Sequence, residues 1–277
     1  PIVDAPGSYS GTSSYMGRAN AFFTVLPYWK SFYESNADGS QKDVRRDVNF
    51  VDYAYVWNAT TETQDKSYTA SSIAKSLYRY PGKWRREWMA LGFVDPNHTG
   101  VNYCPLRYAD VVLMAAEAYN ETNNTTEAWK LLNDVRQRAE ATPITSANYA
   151  SLMKAPKVYN LDFIDDSDDA GKFRTALYWE RGFELCYEGQ RKYDFLRWGC
   201  LGDALRAAQA YIESWYPDAN EYINASTLQS WDPVSWASSN YVAGHNFVDG
   251  KHELYPIPLA EIQSNAALNG QNNPGFE

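Results

Sequence analysis

Glu180, Glu184 and Glu188 recur every four residues, so they stack on one face of any helix that contains them. A pair of carboxylates about 5 to 9 Å apart is what a glycoside hydrolase uses for catalysis. The spacing also has a structural interpretation, because like charges four residues apart repel by a few tenths of a kcal/mol and need cations beside them. Four arginines lie close in the sequence, namely Arg174, Arg181, Arg191 and Arg197.

Asp194 lies three residues from both Arg191 and Arg197, which is the spacing of helical ion pairs. The glutamates and their basic neighbours therefore favour an ion-paired helix junction over an acid–base pair. We interpret one set of residues as structural ion pairs: Glu180, Glu184, Glu188, Arg181, Arg191, Asp194 and Arg197. A glycoside hydrolase that uses two of the stacked glutamates is the alternative hypothesis.

Other patterns that bind metals or carry out catalysis are incomplete. The chain has three histidines and lacks the second histidine of HExxH, so we expect no zinc site. The acidic segment 162–169 misses the glycine and distal glutamate of a calcium-binding EF-hand loop, and anions are favoured before a helix N-terminus. Cys104, Cys186 and Cys200 form neither CxxC nor a disulfide framework. We expect no catalytic residue, metal or cofactor.

The composition excludes further classes of function. The 277 residues include 25 basic and 34 acidic side chains, which gives a net charge of −9. Proteins that bind nucleic acid present a basic surface, so we expect no nucleic-acid partner. No apolar run approaches the roughly 18 residues that a membrane-spanning helix needs. The 44% of hydrophobic residues suffices for a folded core.

The chain is rich in aromatic residues with polar groups, because 10 Trp and 22 Tyr stand against 11 Phe. Such side chains are favoured at binding surfaces. Sugar rings present C–H faces that pack on them, and sugar hydroxyls bond to amides such as that of Asn. Any single ring can equally belong to the core. The candidates for ligand binding are Tyr28, Trp29, Tyr33, Tyr55, Trp57, Asn58 and Trp84.

The elements expected to position these residues differ along the chain. Residues 1–100 read as irregular structure, with a short helix at 21–33, an alternating strand within 44–57 and a polar loop at 58–72. Helical spacing then predicts one helix from 106 whose apolar stripe includes Tyr108, Val111 and Tyr119. A second helix, capped by Thr125 or Thr126, completes an αα-hairpin of tetratricopeptide-like character.

Further helices are predicted at 172–189, 204–215 and 259–263, and a loop at about 217–250. Four segments of this helical part resemble the C-terminal region of the SusD/RagB family, in the family's order. They are 106–119 (LRYADVVLMAAEAY), 128–139 (AWKLLNDVRQRA), 179–199 (WERGFELCYEGQRKYDFLRWG) and 254–276, with LYPIPLAEI and QNNPGF. The family's usual QNPG ending has one Asn fewer, a difference that we expect only to lengthen a turn.

The resemblance implies a mainly α SusD/RagB-like fold with a tetratricopeptide-like helix pair, long irregular loops and short β-hairpins. It also implies one C-terminal region over 1–277, with 1–100 as the aromatic-rich ligand part and 101–277 as the helical scaffold. The resemblance implies that the chain lacks the family's N-terminal half, which normally carries a lipoprotein cysteine. Residues 1–100 resemble the family weakly, chiefly at 43–45 and 80–86.

The resemblance further implies a non-catalytic surface lipoprotein of a Bacteroidetes-type outer membrane. Such a protein binds oligosaccharide or polysaccharide and delivers it to a SusC-like, TonB-dependent transporter. Its contact with the membrane would come only through a lipid anchor on the absent N-terminal part. A scaffold that docks to the transporter, with the ligand recognised by the missing half, is the alternative to glycan binding.

Overall fold

The computed structural model describes residues 27–51, 53–68, 80–83, 88, 102–152, 166–215 and 246–276. The chain forms two compact units, Pro1–Pro156 with Ile164–Arg191, and Lys157–Phe163 with Lys192–Glu277. The boundary between them does not lie near residue 100, where the sequence pattern changes. That the chain acts as one SusD/RagB-type region stays a prediction.

An antiparallel pair of helices, α3 (Tyr108–Glu121) and α4 (Thr125–Arg138), confirms the predicted αα-hairpin. Leu113 and Leu132 are fully buried in the core of this pair. The cap of α4 differs from the prediction, because the side chain of Asn124, rather than Thr125 or Thr126, accepts a hydrogen bond from the amide of Glu127. An Asn side chain at this position satisfies one of the free amides of the first helical turn.

The predicted apolar stripe of α3 lies on the outside of the hairpin. Tyr108 is 81% exposed, and Val111 and Tyr119 are each 42% exposed. The buried side of the helix instead contains Leu113 and Ala116, which are both 0% exposed. The sequence contains apolar residues on two faces of α3, and its periodicity alone did not show which face enters the core.

The central helix of the first unit is α6 (Asp169–Glu184). Its N-terminus is capped by Asp168, whose carboxylate accepts a hydrogen bond of 2.7 Å from the amide of Gly171. All residues from Thr175 to Glu184 are buried, so the helix is enclosed on every side. It ends five residues before the predicted end at 189, and Glu188 follows in a turn.

The remaining elements of the first unit are short. They include helices α1 (Pro27–Lys30), α2 (Arg45–Asn49) and α5 (Tyr149–Leu152). Strands β1 (Phe50–Val51) and β4 (Tyr80–Pro81) pair antiparallel, as do β2 (Tyr53–Asn58) and β3 (Thr63–Tyr68). The strand expected within 44–57 thus begins only at Phe50, after a short helix. The loop expected at 58–72 contains β3.

The second unit contains helices α7 (Arg191–Arg197), α8 (Leu201–Trp215) and α9 (Leu259–Ser264) and a 3₁₀ turn at Ala266–Leu268. Arg191, the first residue of α7, is the last residue of the first unit. The chain end folds back onto residues 255–257. The amide of Ile257 donates to the side chain of Asn272 at 2.7 Å, and Asn273 donates to the carbonyl of Tyr255 at 2.7 Å. Both asparagines of the NNPG ending therefore fix this turn. The mainly α fold class is confirmed.

The described residues also show whether a helix could span a membrane and whether the three cysteines form disulfides. No helix in these ranges combines the length and the apolar character needed to cross a bilayer. The three cysteines are free, with Cys200 buried and Cys104 exposed. Burial raises the pKa of the Cys186 thiol to about 11, so it is protonated at neutral pH.

Candidate functional site

The three stacked glutamates lie in a buried network of ion pairs. Glu180 is 0% exposed and accepts hydrogen bonds from Arg45 at 2.5 Å and from Arg136 at 2.6 Å. Arg45 in turn binds both carboxylate oxygens of Asp43, at 2.9 and 2.7 Å. The network therefore connects α2, α4 and α6 through side chains distant in the sequence.

Glu184 lies at the centre of this network. Its carboxylate contacts Arg45 at 3.0 Å, Arg107 at 2.5 Å and Arg138. Burial alone would raise the pKa of Glu184, but the three arginines outweigh burial and lower it to about 2. The group is a carboxylate at neutral pH and has no proton to donate.

Glu188, just beyond α6, completes the network. It accepts hydrogen bonds from Arg107 at 2.6 Å and from Lys83. Burial is the largest influence on Lys83 and lowers the pKa of its ammonium group. Because each of the three glutamates has at least two cationic partners, the arrangement neutralises the charge of the carboxylates.

The cations of this network are not the ones expected from neighbouring sequence. Arg174 pairs with Glu121, and Arg181 pairs with Asp110 at 2.8 Å. Arg191 donates to the carbonyl of Tyr178 at 2.7 Å and stacks on its ring. Arg197 pairs with Asp194 at 3.0 Å, as its spacing predicted. The partners that the sequence reasoning missed are Arg45, Lys83, Arg107, Arg136 and Arg138.

Two of the aromatic candidates pack against α6. Tyr33 is 1% exposed, and its hydroxyl donates to the carbonyl of Phe183 at 3.0 Å. Trp29 is half-buried, with its ring 5.7 Å from that of Trp179. A Cβ at Gly182 would lie 3.1 Å from the Trp29 ring, so glycine permits this close approach. Tyr33 thus offers no surface to a ligand, because its ring and hydroxyl belong to the core.

Asn58 belongs to the turn of the β2–β3 hairpin. Its side chain accepts hydrogen bonds from the amides of Thr60 and Thr61, and it donates to Asp65 at 2.6 Å. These bonds give the amide a structural role in the turn. In the same hairpin Tyr55 pairs with Lys66 and Trp57 with Gln64 in the backbone register. The side chains of four candidates lie outside the described residues, namely Tyr28, Tyr55, Trp57 and Trp84.

The second unit contains an open cavity of about 450 Å³, which the sequence reasoning did not find. Its apolar lining comes from Phe195, Leu201, Leu205 and Phe247. Its polar lining comes from Lys192, Asn246 and His252. These residues are spread over 60 positions and share no motif, so no sequence signal pointed to them.

The helix hairpin and the largely buried central helix α6, with few strands among the described residues, define a mainly α protein whose buried glutamates are ion-paired. The chain belongs to the SusD family, whose model matches residues 24–276. The family expected from the four sequence segments is therefore confirmed.

Relatives of known sequence have the same family assignment. SusD-like protein P25 of Formosa agariphila is 31% identical over 172 residues, which are 62% of this chain and 24% of that protein. SusD-like protein P2 of the same organism is 30% identical over 247 residues, 86% of this chain and 38% of that protein. The chain thus spans less than two-fifths of these relatives.

Solved structures share the fold. A SusD homolog from Bacteroides thetaiotaomicron superposes with a TM-score of 0.63 at 24% identity, over 98% of this chain and 47% of that chain. A SusD superfamily protein from Bacteroides vulgatus gives a TM-score of 0.52 at 22% identity, over 91% of this chain and 44% of that chain. The SusD-like fold class expected from the sequence is therefore confirmed.

Proposed function

We propose that the chain belongs to a non-catalytic glycan-binding protein of a nutrient-uptake system. The protein captures oligosaccharide or polysaccharide at the cell surface, as an outer-membrane lipoprotein of the Bacteroidetes type. It passes the glycan to a SusC-like, TonB-dependent transporter. The observation that carries this proposal is the family membership over residues 24–276.

The buried ion network supports the non-catalytic part of the proposal. A glycoside hydrolase needs one carboxyl group that keeps its proton near neutral pH. Glu184 has the opposite property, since its pKa is lowered to about 2. Glu180 is 0% exposed, so a sugar has no access to it. The three stacked glutamates therefore fit a role in stabilising the fold better than the alternative of glycoside hydrolysis.

The β2–β3 hairpin is the element to which we assign ligand binding. Tyr55 and Trp57 occupy alternate positions of β2, a spacing that places two residues on the same side of a strand. Aromatic side chains with a polar group are favoured at binding surfaces. Tyr28 and Trp84 remain secondary candidates, whereas the burial of Tyr33 argues against it.

Affinity electrophoresis in gels that contain single named polysaccharides tests the binding. Starch, xylan, pectin and laminarin are suitable probes, with wild type, Tyr55→Ala and Trp57→Ala compared. We expect retardation of the wild type by at least one of them and a loss of about tenfold in affinity in each variant. Tyr108→Ala is the matched control, since Tyr108 is 81% exposed in α3, outside the hairpin. Equal retardation of wild type and Trp57→Ala would contradict the assignment to the hairpin.

A transporter-docking scaffold is the second candidate function, favoured by the exposed apolar face of α3. Tyr108, Val111, Met114 and Tyr119 are between 42% and 81% exposed on this helix. Exposed apolar patches of this kind mark surfaces that contact other polypeptides. Glycan recognition would then lie elsewhere in the longer protein.

Pull-down of a SusC-like transporter from solubilised outer membranes distinguishes the two functions. The double variant Tyr108→Ser/Met114→Ser should lose the transporter if α3 docks to it, while Trp57→Ala should retain it. The reverse pattern, with the transporter retained by the α3 variant, would overturn docking through this face. The gel assay on the same proteins reports glycan binding independently.

A further inference from the structure

The cavity of the second unit is large enough for a sugar residue and is lined by both aromatic and polar side chains. Its volume of about 450 Å³ falls within the range of roughly 300 to 1,000 Å³ of small-molecule sites. Phe195 and Phe247 contribute aromatic rings to its lining. Lys192, Asn246 and His252 contribute polar side chains, and the imidazole of His252 lies 5.7 Å from the ring of Phe247. A ligand that fits this cavity has an apolar face and a hydrogen-bonding edge.

His252 contributes a hydrogen-bond donor. Its Nδ1 accepts the amide N–H of Val248 at 2.8 Å, so the proton of the neutral ring lies on Nε2. The rings of Phe247 and Phe276 lie 5.7 and 6.4 Å from the imidazole and fix its orientation. The hydrogen bond to Val248 thus leaves His252 an N–H group rather than an acceptor for a ligand.

Lys192 contributes a positive charge that no described carboxylate neutralises. Its ammonium group donates to the hydroxyl of Tyr255 at 2.7 Å and lies 4.2 Å from the centre of that ring. Within the described residues, it makes no ion pair. Neither Asp249 nor Glu253, the acidic residues nearest His252 in the sequence, lines the cavity, and Asp249 pairs with Arg206 at 3.1 Å. Asp194, two residues from Lys192, pairs with Arg197. A cation with two remaining N–H groups favours an anionic ligand.

We propose that this cavity binds a carboxylated sugar, a uronic acid residue of the captured glycan. The carboxylate contacts Lys192 and His252, and the C–H face of the sugar packs on Phe195 and Phe247. Tyr255 is 73% exposed and bonded to Lys192, so it can contact the next sugar of the glycan, outside the cavity. This inference rests on the proposed glycan binding and adds the chemical class of one bound sugar.

Saturation-transfer NMR and titration calorimetry with the 277-residue chain test the inference. The probes are D-glucuronate and D-galacturonate, with D-glucose and D-galactose as the matched neutral sugars. We expect at least one uronate to bind ten times or more tightly than its neutral counterpart. Lys192→Met, which keeps the length of the side chain, should weaken uronate binding about tenfold, and Lys192→Arg should retain it.

Lys130→Met provides the matched control, since Lys130 is an exposed lysine of α4 in the first unit. It should leave uronate affinity unchanged, and circular dichroism verifies that each variant is folded. Equal affinity of both uronates and their neutral counterparts, no binding of either uronate, or an unchanged affinity in Lys192→Met would each overturn the inference.

The outcomes separate this inference from the proposed function. Polysaccharide binding that depends on Trp57 but not on Lys192, without uronate binding, overturns the cavity alone. Uronate binding that Lys192→Met weakens, with no polysaccharide bound, supports the cavity as a uronate site and overturns the proposed function.

Discussion

Replacing Glu184 with alanine should destabilise the protein by about 3 kcal/mol at pH 7. The side chain is 2% exposed and bonds to three arginines. Lowering the pKa from 4.5 to about 2 corresponds to roughly 3 kcal/mol of stabilisation of the charged form. Removing one member of a buried pair typically costs about 3 to 5 kcal/mol. Because Arg45 and Arg107 each retain another carboxylate partner, we expect the lower end of that range.

The pH dependence of the unfolding free energy tests whether the charge of Glu184 causes the stabilisation. A carboxyl group with a lowered pKa stabilises the folded state above the unfolded pKa of 4.5, and this stabilisation is lost as the pH falls towards 2. Glu184→Gln keeps the volume of the side chain and removes the charge. The difference in unfolding free energy between wild type and Glu184→Gln should fall from about 3 kcal/mol at pH 7 to about 1 kcal/mol at pH 3.

Urea denaturation followed by tryptophan fluorescence measures these differences. Glu121→Ala is the control, because Glu121 forms an exposed ion pair with Arg174 and its loss should cost less than about 1 kcal/mol. A loss below roughly 0.5 kcal/mol for Glu184→Ala would refute the buried network. A difference between wild type and Glu184→Gln that does not change between pH 7 and pH 3 would refute its electrostatic origin.

Three further substitutions test the framework. Arg45→Ala removes the cation shared by three buried carboxylates and should cost about 4 kcal/mol in urea denaturation, and a loss under 1 kcal/mol would contradict its role. Tyr33→Phe should lower the free energy of unfolding by about 1 kcal/mol, because the Tyr33 hydroxyl forms hydrogen bonds inside the core. It should leave glycan affinity unchanged, and a tenfold loss of affinity would place Tyr33 in the ligand site. Asp168→Ala removes the cap of α6 and should lower the free energy of unfolding by about 1 kcal/mol, which a lower melting temperature would show. Asp168→Asn should have a melting temperature near that of wild type. Equal losses in the two variants would show that the cap does not stabilise the helix.

Long helices with clear periodicity were predictable from the sequence, and short elements were not. The helices α3, α4 and α6 lie where apolar spacing predicted them, with shifts of a few residues at their ends. The five residues of α2 give too few positions for a period to emerge. Strand β3 reads Thr-Gln-Asp-Lys-Ser-Tyr, a polar sequence that forms a strand because it pairs with β2.

The ion network was predictable in kind and not in its partners. The stacked glutamates indicated that cations must lie nearby, but Arg45 is 135 residues from Glu180 in the sequence. Arg45 and Glu180 meet only because α2 and α6 contact each other in the fold, and the spacing of residues along the chain does not predict that contact. Similarly, the side chains of the cavity come from α7, α8 and the 246–252 segment, whose meeting depends on the fold of the second unit.

The most direct test of the central claim combines binding with turnover on one sample. Calorimetric titration of the wild type with the polysaccharide that retards it most should give a saturable heat, and an assay of reducing ends after overnight incubation should show no increase. Glu184→Gln should bind equally well, and Trp57→Ala should bind about tenfold more weakly. New reducing ends that disappear in Glu184→Gln, or no heat with any polysaccharide tested, would contradict the account.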